Sequence, residues 1–163
     1  MTVRTARIST VHHPNQSSCH FLFEGALLIS DEIPPHLKSS VVLYNLALAH
    51  HLIGVKESAS RKMMSAKRLY ILALDLVKKH SQHDGSKDAL LVSLAIANNL
   101  GEIHLQQSHA LEEAKKCFSF AHKILTHLGS PSNARDPADD EFSFFYLNSM
   151  VRSIGAIVAT PAA

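Results

Sequence analysis

One pattern occurs twice in this chain, and it narrows the folds open to it. Ala66, Tyr70 and Ala73 follow the order Ala, three residues, aromatic, two residues, Ala. Ala114, Phe118 and Ala121 repeat that order. A second matching set lies ahead of each: Leu43, Leu46-Ala47 and His50 before the first, and Ala97, Leu100-Gly101 and His104 before the second. Spacings of three and four residues place each set on one helix face. Small residues on both helices of a pair allow close approach, and the aromatic fills the gap that remains. Neither helix can bury its stripe alone, so such copies stack. The expectation is an all-α protein of about five helices.

Composition agrees with this. The 163 residues suit one domain with a real core. Apolar residues make up 46% and charged residues 18%, a globular balance rather than a disordered one. With only six glycines and six prolines, the chain has few breaks and favours long helices. Pro34 and Pro35 mark the first start, and the first helix is expected over 36–53, stopped by Gly54. The second is expected over 62–79 and the third over 86–107, with Ser86 as N-cap. The fourth covers 110–128, with Glu112 and Glu113 in its first turn and Gly129 and Pro131 as its stop. Asp136-Pro137 opens a fifth, reaching 152, whose Phe142, Phe144, Phe145, Tyr146, Leu147, Met150 and Val151 demand a packing partner. Residues 1–20 read as a flexible polar arm. The apolar run 21–29 fits a strand or a half-helix, and periodicity does not choose between them. The tail after Gly155 fits a strand or a frayed end.

The doubled pattern resembles the tetratricopeptide repeat, W-x2-L-G-x2-Y followed by A-x3-F. The resemblance covers 41–128, as two degenerate repeats at 41–79 and 89–128. The helix at 137–152 is expected to cap the second copy and the 21–29 segment to cover the first, within a single domain, 21–163, forming a tetratricopeptide-like superhelix. The chain departs from the family in its slots and spacing. Leu43 and Ala97 stand where tryptophan is usual, and His50 and His104 where tyrosine is usual. Ala66 and Ala114 are 48 residues apart, and Leu46 and Leu100 are 54 apart, against a usual repeat of about 34. The excess is expected in loops, at 55–61 and 80–87.

The resemblance implies a function through its groove. In this family the first helix of each repeat lines a concave surface. Carried over, that surface comprises Tyr44, Asn45, Leu48 and His51 from one copy, and Asn98, Asn99, Glu102 and Leu105 from the other. Asn45 and Asn99 are equivalent positions, where the family often uses an Asn to hold the backbone of an extended peptide. The flanking Tyr44 and Asn98 replace the basic residues of a chaperone carboxylate clamp, so that ligand is not expected. A protein partner offering a short peptide or helix with apolar anchors is expected instead. Replacing Asn99 and Tyr44 together by Ala is expected to abolish capture and spare the fold.

Other chemistry has less support. The closest two glycines are Gly85 and Gly101, so no phosphate loop, dinucleotide fingerprint or nucleophile elbow can be written. The twelve histidines raise the alternative of a His-rich metal-binding helical protein. No HExxH motif occurs, and Cys19 and Cys117 have no metal-ligand spacing. Cys117 falls on an apolar helix stripe, as a buried free thiol does. Neither an enzyme nor a cofactor is expected. A net charge of +2, with scattered basic residues, suggests neither nucleic acid nor membrane. No apolar run is long enough to span a bilayer. A cytoplasmic location is expected, although Arg4, Arg7 and the Ser/Thr-rich start also fit an organelle-targeting segment. Oligomeric state is not set by any of these features.

Overall fold

The computed structural model describes residues 5–6, 22–29, 33–81, 86–107, 109–128, 144–145, 148–150 and 152. These are mostly helical. The four long helices are α1 (Pro35–Lys56), α2 (Ser60–Ser81), α3 (Lys87–Leu105) and α4 (Leu111–Leu128). Beside them stands one short antiparallel ladder, β1 (Thr5–Ala6) on β2 (Ala26–Leu27), pairing Thr5 with Leu27 and Ala6 with Ala26. The fold is therefore all-α apart from that two-residue ladder. Within the run 21–29, Ala26–Leu27 forms the strand, and the other described residues are neither helix nor strand. Of the fifth helix, 144–145, 148–150 and 152 are described and helical. The stops at Gly129 and Pro131, the Asp136-Pro137 start, most of the arm and the tail lie outside the described residues.

Local chemistry explains the helix ends. Pro34 sits outside α1 with φ −56° and ψ 143°, and Pro35 occupies the first turn, where a missing N–H costs nothing. The Pro34 carbonyl accepts the first bonds, from the N–H groups of Leu37 and Lys38. Ser86 caps α3 as expected: its hydroxyl accepts the Ala89 N–H at 3.2 Å.

Gly54 corrects the sequence reading. It does not end α1, which continues to Lys56. A Cβ at Gly54 would lie 2.6 Å from Met63 Sδ and 3.1 Å from the Met63 backbone nitrogen, so the glycine permits close approach of α2. The turn comes later, at Ser58, whose φ of 52° is left-handed. Glu57 N–H bonds the Ile53 carbonyl and Ala59 N–H bonds the Gly54 carbonyl, closing the helix end. A second correction follows. The residues in excess of a usual repeat do not form a loop at 55–61, because most of them extend α1 and α2 to 22 residues each.

Contacts gather the chain into two compact units, 1–96 and 97–163, with the boundary inside α3. In the first unit α1 packs on α2. Tyr70 lies at the centre of that packing. Its ring is 5.8 Å from Tyr44 and 6.0 Å from His51, the latter edge-on. Tyr44 and His51 are two turns apart on α1, so both meet one ring. Ala47, Ala66 and Ala73 are buried around them. In the second unit a Cβ on Gly101 would stand 2.7 Å from Phe118 Cζ, so α3 can approach the α4 ring only through glycine. Ala114 and Ala121 are buried on the same stripe. Residues 91–104 are buried without exception, as in a helix covered on every side.

Candidate peptide-binding face

Helix α1 holds an extended stretch of the chain itself. Residues 22–29 run as a strand-like segment, and three alternate residues turn their backbone groups toward α1. The Tyr44 hydroxyl is shared between the carbonyls of Phe23, at 3.3 Å, and Gly25, at 3.1 Å. The Asn45 amide takes both groups of Leu27: its Oδ1 accepts the N–H at 2.9 Å and its Nδ2 donates to the carbonyl at 2.8 Å. Residues 23, 25 and 27 share one edge because an extended chain repeats every two residues. Two neighbouring side chains on a helix thus read the backbone edge of a strand.

Side chains of that segment fill the space beneath. Leu22, Phe23 and Leu27 are each no more than 2% exposed. Each such burial contributes about 1.5–3 kcal/mol. Leu28 and Ile29 remain exposed, as do Val42 and Leu46 on α1.

The remaining predicted groove residues lie as follows. Leu48 is buried, and His51 is buried against Tyr70. In the second unit, Asn98, Asn99 and Glu102 are buried and Leu105 is half-buried. Asn98 Nδ2 donates to Asn99 Oδ1 at 3.1 Å, and Asn148 Nδ2 donates to Asn98 Oδ1. Arg152 grips Glu102 with two bonds, Nε to Oε1 at 3.1 Å and Nη2 to Oε2 at 2.9 Å. This forked pairing holds a carboxylate that is 1% exposed beside a guanidinium that is 22% exposed.

Seven of the eight positions are therefore buried or bonded to another segment of the chain. The chain's own segments lie on Tyr44 and Asn45, and on Asn98 and Glu102. Only Leu105 is neither buried nor bonded to such a segment. The two equivalent asparagines also differ. Asn45 bonds the Leu27 backbone, whereas Asn99 accepts from the neighbouring Asn98 side chain. Tyr44 and Asn99 are both fully buried, so the double Ala variant would reach the packing as well as any ligand. The sequence placed 21–29 over the first copy and 137–152 over the second, but did not single out Arg152, Asn148 or the backbone of 22–29 as bonding partners. One signal was present: a carboxylate within the apolar stretch of a helix needs a cation.

Elsewhere, the pairs Lys115–Glu112 at 2.8 Å and Lys116–Glu113 at 3.4 Å lie exposed on α4 and add little. His50 is half-buried and His104 is buried. Cys117 is half-buried. Among the described residues, no three of His, Cys, Asp and Glu stand together as metal ligands. No described helix is long and apolar enough to cross a membrane. His12, His13, His83 and Cys19 lie outside the described residues. No family model, curated protein or solved structure matches this chain.

Proposed function

We propose that the chain is a non-catalytic protein-interaction module, a tetratricopeptide-like helical protein whose α1 face takes extended peptide from a partner. One observation carries this reading: the Asn45 amide matches both backbone groups of a single extended residue. Such a match is independent of side-chain sequence, which suits a peptide-recognition surface. The repeat reading is supported by packing. The small positions Ala47 and Gly101, and the aromatic positions Tyr70 and Phe118, are all buried, and Gly101 faces the Phe118 ring. A cytoplasmic location goes with this reading. No specific observation on the described residues favours the alternative of a His-rich metal protein.

Selection from a random peptide display library, on the full chain and on its Asn45→Ala variant, tests the proposal. Helical circular dichroism checks that both are folded. Peptides enriched on the wild type and lost on the variant are the expected result. Enrichment that is equal on both, or absent on the wild type, would overturn the reading.

A further inference from the structure

The face described above is occupied, and its occupant describes its ligand. Resting on the module reading, we propose that the partner supplies an extended peptide of the form Leu-Phe-x-Gly-x-Leu, which displaces residues 22–29 from α1. The Tyr44 and Asn45 bonds fix the strand's direction and register through main-chain atoms that any sequence provides. Selectivity comes from the side chains that are buried. Leu22, Phe23 and Leu27 are enclosed, so the ligand needs large apolar groups at those three places.

Gly25 adds a constraint of a different kind. A Cβ there would lie 2.8 Å from Phe23 Cζ and within 3.3 Å of both Cε atoms. The ring folds back over the glycine and is 0% exposed, so it has no room to move away. Leu28 and Ile29 are exposed and so unselected, while Glu24 and Ala26 are half-buried and constrain the ligand less than the three enclosed positions. The chain's own segment is a resident competitor. Tethering keeps it at an effective concentration of roughly millimolar order, so a free peptide meets only the fraction of chains that are open.

The probe is a synthetic peptide with the sequence of residues 21–29, a fluorescent label and added lysines for solubility. Its binding to the full chain is read by anisotropy, for the wild type and for Leu27→Ser, which weakens the resident segment and leaves α1 intact. The Leu27→Ser chain is expected to bind at least about tenfold more tightly than the wild type, a difference of about 1.4 kcal/mol. A peptide with alanine in place of its glycine is expected to bind Leu27→Ser at least tenfold more weakly. A folded Leu27→Ser chain that binds no better than wild type, or that accepts the alanine peptide equally, overturns the proposal. If Leu27→Ser does not fold, amide exchange on the wild type decides. Excess peptide must speed exchange at Leu27 and leave the α1 amides unchanged, and an unchanged Leu27 overturns it. Library peptides that depend on Asn45 but lack the Phe-x-Gly-x-Leu spacing would leave the module reading standing and remove this one. No Asn45-dependent peptide of any kind would remove both.

Discussion

Gly101 of α3 faces the Phe118 ring of α4, with three ring atoms between 2.7 and 3.0 Å from where a Cβ would sit. Elsewhere on a helix, Gly→Ala stabilises by about 0.5–1 kcal/mol. Here the added methyl strikes a ring that is 5% exposed, and overpacking costs about 1–3 kcal/mol. Crowding therefore outweighs helix propensity. Gly101→Ala is expected to lower stability in urea, and its cost should shrink in a Phe118→Leu background. A double-mutant cycle should return a coupling of at least about 0.5 kcal/mol, and purely additive effects would refute the contact. Ser58 is a different case, in which a non-glycine residue is held at φ 52° because the α1–α2 turn requires it. That conformation costs an ordinary residue about 1–2 kcal/mol, which the packing of the two long helices on either side offsets.

The helices themselves were the most legible elements. Stripes such as Ala66–Tyr70–Ala73 have a period that only a helix satisfies, and Ser86 is a cap recognisable from residue type alone. Helix length was less legible. Gly54 looks like a stop in one dimension and proves to be a contact point in three. Tyr44 and Asn45 were visible in the doubled pattern, and 21–29 as a run lying over it. Which atoms meet was not, because an extended segment carries little local signal and its pairing is decided 18 to 21 residues away. The same holds for Arg152, which is 50 residues from Glu102. Helix α4 offers a test at this scale. A hydrogen bond from its own backbone, and then Lys116, hold the Glu113 carboxyl below its ordinary value of 4.5, with His104 adding a smaller contribution. A lowered carboxyl stabilises the folded state above its unfolded pKa, and that contribution is lost as pH falls through the folded pKa. Acid titration of helical circular dichroism should show the wild type losing stability below about pH 4.5 relative to Glu113→Gln. Parallel curves would refute the role of Glu113.

At the scale of the whole molecule, each unit is closed by a segment distant from the helix it covers. Residues 22–29 do this in the first unit, and the Asn148 to Arg152 stretch does it in the second. The second closure is ionic, so its loss has a characteristic signature. Glu102→Gln leaves Arg152 without its charge partner and is expected to cost about 2–4 kcal/mol, somewhat under the range for fully buried pairs because Arg152 is 22% exposed. Adding Arg152→Met should recover most of that loss in urea unfolding, whereas a further loss would refute the pairing. The spans of the two closures also set a schedule. Contacts 18 to 21 residues long can form as soon as α1 has been made, whereas the carboxylate of Glu102 must wait for 50 more residues of synthesis. At ordinary elongation rates that wait is about 3–10 s. During that interval the guanidinium that neutralises Glu102 in the finished fold has not been made, so closing the second unit over that carboxylate is a late step in the life of a new chain.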